Sequence, residues 1–175
     1  MTVRTEDREI VKQRANYVCE YCGVSEIDVG GELTLDHYHP ISKGGNDSLE
    51  NLLYCCPRCN QYKLNYWPEK PEDLPLWQPR REPFHLHFAA LEDGTLLPLT
   101  PIGEFTLLRL RLNRLHLIAH RRRQIQLAQD QVQKDRYLEL SQLLAQLLLQ
   151  QATLLDQQQD LLRVQQRLIE KLLKD

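Results

Sequence analysis

Neither glycine nor proline occurs after Gly103, so nothing in the last part of the chain forces a turn. No apolar run approaches the roughly 18 residues that a bilayer-spanning helix needs. Residues 1–10 are charged and lack the apolar centre of a secretory signal. The expectation from both absences is a soluble, cytoplasmic protein. An excess of charge of one sign is lacking as well: 22 Lys and Arg stand against 24 Asp and Glu. That balance excludes a polycation that binds phosphate over its whole surface, so any such affinity must come from local patches. An even cysteine count is also missing. There are five, and four of them fall in two CxxC pairs, which favours metal binding over disulfides in a chain with no export signal. The apolar content, 42% of 175 residues, is enough to fill one compact core with a helical segment appended.

Residues 5–16 are predicted to form a short helix, with Ile10, Val11 and Ala15 as a partial apolar stripe and Thr5 or Asp7 as its cap. A strand is expected over residues 33–36 and a second extended piece over residues 52–54. A loop marked by Ser42, Gly44, Gly45, Asn46 and Asp47 separates them. A further helix should start around residues 57–59. Residues 67–83 hold five prolines, which forbids a long helix and predicts an extended strap packed down by Trp67, Leu74, Leu76 and Trp77. Residues 84–99 suggest a hairpin around Asp93-Gly94, with Phe84, Leu86 and Phe88 alternating. From residue 104 onward the chain reads as helix with one or two breaks. Leu140, Leu147, Leu154, Leu161 and Leu168 recur every seven residues, but their second seam is mostly glutamine. That incomplete seam fits a helical hairpin or a weak coiled coil, and leaves a homodimer open.

The two knuckles, Cys19-Glu-Tyr-Cys22 and Cys56-Pro-Arg-Cys59, supply four thiolates that can close a tetrahedron around Zn²⁺. A closed site of this kind has no position for water, so the zinc is read as structural. Cys55 is left over and is read as a small buried hydrophobe.

Between the knuckles runs Leu35-Asp36-His37-Tyr38-His39-Pro40-Ile41-Ser42-Lys43-Gly44-Gly45-Asn46-Asp47, then Leu49-Glu50-Asn51-Leu52, then Cys59-Asn60. The order CxxC, Asp-His, Gly-Gly, Asn-Leu, CxxC-Asn resembles the four-cysteine members of the HNH endonuclease family, in their His-Asn-Asn variant. The resemblance implies a small α+β fold of the ββα-metal type with a structural zinc site, followed here by a long, mostly helical extension. It implies metal-dependent hydrolysis of DNA phosphodiesters. His37 would be the general base, Asp36 and Asn60 the ligands of a catalytic Mg²⁺ or Mn²⁺, and Asn51 the brace of the loop. The residue types suit the chemistry: imidazole takes a proton from water near neutral pH, and carboxylate and amide oxygens suit a hard cation. His39 departs from the family pattern, which has an aliphatic residue there, and is read as a packing or turn residue. Gly44 and Gly45 are read as turn residues.

Lys63 lies one helical turn after Asn60 and is a candidate phosphate contact. The first 66 residues are slightly acidic. Residues 105–129 carry Arg109, Arg111, Arg114, Arg121, Arg122 and Arg123 with no acidic residue before Asp130. Arg121, Arg122 and Arg123 are taken as the nucleic-acid contacts of this run, with a solvated helix face as the equal alternative. DNA is the expected partner, and RNA stays open beside it. The expected division is a nuclease domain over residues 1–66, a strap and hairpin over 67–103, and a helical extension over 104–175. Parts of residues 79–114 resemble, more loosely, an extension in a bacterial subgroup of the same family. The rival function is a zinc-stapled nucleic-acid-binding module without catalysis.

Overall fold

The computed structural model describes residues 3–172, and side chains up to residue 169. The described residues divide into two units, one ending at Ile125 and one beginning at Gln126.

The first unit opens with α1, Thr5–Arg14. Neither Thr5 nor Asp7 caps it, contrary to expectation. Thr5 is already helical, and Arg4, at the N-cap position, forks onto the Asp7 carboxylate with Nε and Nη2 at 2.7 and 3.0 Å. Val11 is the stripe residue that buries fully, while Ile10 stays exposed. From the end of α1 the Arg14 guanidinium donates to the Leu49 and Leu52 carbonyls at 3.0 and 2.6 Å, tying the helix to the strand that follows the loop.

A single turn, α2 (Glu26–Val29), is held by a reciprocal Ser25–Asp28 capping box and ended by Gly30 at φ +71°. Then β1 (Thr34–His37) pairs antiparallel with β2 (Leu52–Cys55), in a register that sets Thr34 opposite Cys55 and His37 opposite Leu52. All four β2 residues are buried, because α1 packs on β2 while α3 (Pro57–Lys63) packs on β1. This α3 starts where the sequence requires. Pro57 takes the first helical position, which needs no N–H donor, and the Cys56 Sγ accepts from the Cys59 N–H at 3.4 Å.

The core does not stop at residue 66. Leu76 and Trp77 of the strap, Phe88 and Leu96 of the hairpin, and Leu110, Leu112 and Leu117 beyond it share one apolar cluster with β2. The hairpin forms around Asp93-Gly94 as expected, from β3 (Phe88–Ala90) and β4 (Leu96–Pro98). Its predicted first leg does not. Residues 84–87 make one helical turn, α4 (Phe84–His87), and not a strand. The reason is aromatic packing: a four-residue helical step sets the Phe84 and Phe88 rings 5.0 Å apart, and both meet Trp77 edge-on at 5.7 and 5.4 Å. A strand would have separated them.

Helix α5 (Pro101–Arg109) begins at a Thr100 cap and ends before Arg111, which takes φ +50°. Helix α6 then runs over Leu115–Leu172. One break is therefore present after residue 104, and the helical-hairpin alternative is excluded among the described residues. With Leu, Gln, Ala and Arg throughout and no Gly or Pro, the chain has no reason to turn.

The second unit is the stretch of α6 from Gln126. Its described side chains are exposed, and Leu140, Leu147, Leu154, Leu161 and Leu168 are each more than half exposed. Among the described residues no helix is long and apolar enough to cross a membrane.

Candidate active site

The β1–β2 pair carries a different chemistry at each end. At the Thr34–Cys55 end, the hairpin, the first knuckle and the start of α3 bring Cys19, Cys22, Cys56 and Cys59 together, all buried, with their sulfurs within 4.8 Å of one another. The Cys22 and Cys56 sulfurs are 3.7 Å apart. Four sulfurs at about 2.3 Å from a tetrahedral zinc would be about 3.8 Å apart, so the set fits Zn²⁺. Sulfhydryl donors from Cys22, Cys55, Cys56 and Cys59 hold the Cys19 thiol well below its usual range. Cys55 is buried and lies outside the tetrad.

A basic group that the sequence offered only as one member of its arginine run completes this end. Arg114, from the turn before α6, places Nη2 3.9 Å from both the Cys56 and Cys59 sulfurs. A tetrathiolate zinc site carries net negative charge, and a guanidinium against two of its sulfurs offsets that charge.

At the other end Asp36 and His37 leave β1 in opposite directions, as strand alternation demands. Asp36 faces α3 and is buried. Its carboxylate lies beside the Lys63 ammonium, with Oδ1 and Oδ2 at 3.3 and 3.1 Å from Nζ. Burial pushes the Asp36 carboxyl up, and Lys63 pulls it back. Lys63 also donates to the His37 carbonyl at 2.6 Å and is fully buried. It therefore does not present itself to a phosphate as expected. The side chain that was to reach outward is drawn inward, because a buried carboxylate needs a counter-charge.

Asn60, one turn earlier on α3, donates its amide N–H to Thr34 Oγ1 at 3.2 Å, which leaves its Oδ1 for other partners. Asp36 Oδ2 is buried, and its polar neighbour is the Lys63 ammonium at 3.1 Å, an ion-pair contact without hydrogen-bond alignment. A carboxylate oxygen on β1 and an amide oxygen on α3 are of the donor type that suits a hard divalent cation. Lys63 would share Asp36 with that ion.

His37 faces the loop. Its ring is about one-quarter exposed, and Nε2 lies 2.7 Å from Asp47 Oδ1. The loop is pinned by Asn51, whose Oδ1 accepts from the His39 N–H at 2.8 Å. Its Nδ2 donates to the His39 and Asn46 carbonyls at 2.9 and 2.8 Å. Gly45 passes so close to His39 that an added Cβ would stand 1.9 Å from the His39 carbonyl oxygen, so only glycine fits. His39 stacks on Trp67 at 3.8 Å, a packing residue as expected, so the strap covers this loop.

The arginine run divides by role. Arg109 lies 4.1 Å over the Tyr66 ring and Arg111 4.8 Å over Tyr62, so these cations pack the extension onto α3 and its exit. Arg121 is spent internally: its guanidinium donates to Gly94 O, to Leu112 O at 2.9 Å and to Asn113 Oδ1 at 3.1 Å. Arg122 and Arg123 stay exposed. Arg123 lines a groove of about 720 Å³ beside the thiolate end, with Arg58, Arg114, His116 and His120. Asp47 and Arg114 stand at the two ends of this hairpin, where sequence reading had not placed them. Asp47 had been absorbed into a turn, and no local signal ties Arg114 to cysteines more than fifty residues away.

Residues 19–65 match the family model of the HNH endonucleases. No curated protein matches the chain. The match spans both knuckles, the Asp36-His37 strand end and the Asn51 loop, and it stops before the strap and helices that share their core. The chain thus carries an HNH endonuclease domain over residues 19–65.

Proposed function

We propose that the protein is a metal-dependent endonuclease that hydrolyses phosphodiester bonds of DNA, with His37 as general base. The observation that carries this reading is an imidazole at the end of β1, about one-quarter exposed, next in sequence to a buried carboxylate. A zinc staple or a binding surface has no need of that pair.

In the reaction His37 takes the proton of the attacking water, whose oxygen bonds to phosphorus as one ester P–O bond breaks. A divalent ion held by Asp36 and Asn60 would supply charge neutralisation at the phosphoryl and leaving oxygens. Asn51 keeps the loop closed so that the imidazole is already placed when substrate arrives. Lys63 holds the end of β1 through the His37 carbonyl and sets a counter-charge against Asp36. Zn²⁺ in the tetrad would fix α3 relative to β1, and with it Asn60. Arg122, Arg123 and Arg58 are the exposed cations that would track a phosphate backbone, in a salt-sensitive manner.

Plasmid nicking by the wild type and by His37→Ala, with Mg²⁺, with Mn²⁺ and with EDTA, tests the reading. Cutting that needs the metal and drops about 10²–10⁴-fold in the variant is expected. A folded, zinc-loaded wild type that cuts neither duplex, single-stranded DNA nor RNA would leave the zinc-stapled binding module in its place. That second reading draws on one observation, the Lys63 ammonium lying against the carboxylate that the cation would use.

A further inference from the structure

We infer that Asp47 is the residue that sets the working tautomer of His37: it holds the proton on Nε2 and leaves Nδ1 as the lone pair that receives the proton of water. The inference rests on the nuclease reading for its chemistry and on geometry alone for the tautomer.

An ionised carboxylate only accepts hydrogen bonds, so the imidazole nitrogen 2.7 Å from Asp47 Oδ1 must be the one that donates. In the neutral ring the proton then sits on Nε2, and the base is Nδ1. A neutral imidazole without such a partner divides its proton between the two nitrogens, and each molecule with the proton on Nδ1 is inactive as a base through that atom. A carboxylate that fixes the tautomer and ring orientation therefore acts without touching substrate.

The loop explains how Asp47 comes to be there. Four backbone hydrogen bonds turn the chain back after Pro40: Lys43 N–H and Gly45 N–H to the Pro40 carbonyl, Gly44 N–H to the Ile41 carbonyl, and Asn51 N–H to the Ser48 carbonyl, all between 2.9 and 3.1 Å. Gly44 takes φ +94°, and Gly45 lies against the His39 carbonyl where no side chain fits. The Asn51 amide then ties residue 39 to residue 46 from both sides. Asp47 is the next residue after that clamp. The two glycines and Asn51 thus share one task, to deliver a carboxylate to the imidazole from ten residues further along the chain. Asp47 is a positioning residue, and its own side chain is one-third exposed, so replacing it leaves the core intact.

The test uses the full zinc-loaded chain labelled with ¹⁵N at histidine, with the His37 signals assigned by their absence in His37→Ala. At a pH where the ring is neutral, the wild type should show Nε2 at a protonated, pyrrole-type shift and Nδ1 at a bare, pyridine-type shift. Asp47→Ala should move both towards the averaged values of an untethered ring. In Mg²⁺-dependent nicking the same variant should lose about 10–100-fold in kcat with KM unchanged, and Asp47→Glu should regain part of the loss. A wild-type ring protonated at Nδ1, or shifts that do not respond to Asp47→Ala, overturns the assignment. So does an Asp47→Ala enzyme with wild-type kcat. A wild type that shows the expected shifts and cuts nothing supports the tautomer lock and removes the nuclease reading, so the two failures are distinct.

Discussion

The two ends of one hairpin of four-residue strands make opposite demands. At the Thr34–Cys55 end, four sulfurs close on one another in the core, and every ligand a tetrahedral ion needs is present. At the His37–Leu52 end, the donors are oxygen and nitrogen and the imidazole is reachable from solvent. Zinc at the first end would do no chemistry, because no position is left for water. On the proposed reading the second end offers the Asp36 carboxylate and an imidazole base, an open shell that water and substrate would finish. The lesson is that a small sheet with little core of its own can present an open site only when its other end is closed firmly.

Removing that closure should have the largest effect. Cys56→Ser, or treatment with a strong chelator, should unfold the region around β1 and β2, since a structural zinc contributes on the order of 10 kcal/mol. Circular dichroism and thermal melting would read it, and activity should vanish with the fold. A melting curve unchanged by chelation would break the comparison, because the open end would then stand without the closed one. Next in size is Arg114→Met, which leaves a negative tetrad with no guanidinium beside it. Zinc should then be lost about 10–100-fold more readily in competition with a chelator. Equal retention would reduce Arg114 to a partner of Tyr62, over whose ring it lies at 5.7 Å.

The open end can be disturbed without touching the closed one. Gly45→Ala should push the loop off His39 at a cost of about 1–3 kcal/mol, typical of overpacking. Zinc content should stay the same while nicking falls. An unchanged melting temperature together with unchanged nicking would show that the loop yields freely. The smallest effect concerns the arginines. Arg122→Ala and Arg123→Ala should each lower the salt-dependence slope of DNA binding by about one. Arg121→Ala should instead lower the melting temperature, because its hydrogen bonds hold the hairpin turn and the Leu112–Asn113 backbone. A slope that responds to Arg121 as strongly as to Arg123 would erase the distinction.

The sequence was most legible where chemistry and spacing coincide. Two CxxC pairs announced a tetrad, and Pro57 after Cys56 marked the start of α3. Asn51 entered as a brace through the family resemblance alone, and its amide joins residues 39 and 46. Lys63 and Arg121 were misjudged for one common reason. A cation in sequence carries no sign of whether its counter-charge waits in solvent or inside the fold. Phe84 and Leu86 alternate like a strand, but contact with Trp77, seven residues before Phe84, drew the segment into a helical turn.

By itself, then, the sequence determined the four-cysteine set, the hairpin with its flanking helix, and the helical character of the chain after residue 104, whose unbroken run over Leu115–Leu172 the structure added. These follow from local rules: thiolate spacing, strand and turn chemistry, and the absence of Gly and Pro. Only the tertiary structure decided which charges face inward, that Asp47 meets His37, and that an arginine from the extension stands against two of the clustered sulfurs. Those pairings join residues from ten to nearly sixty positions apart, and they arise from packing and from the cost of leaving a buried charge alone, neither of which any local stretch of sequence records.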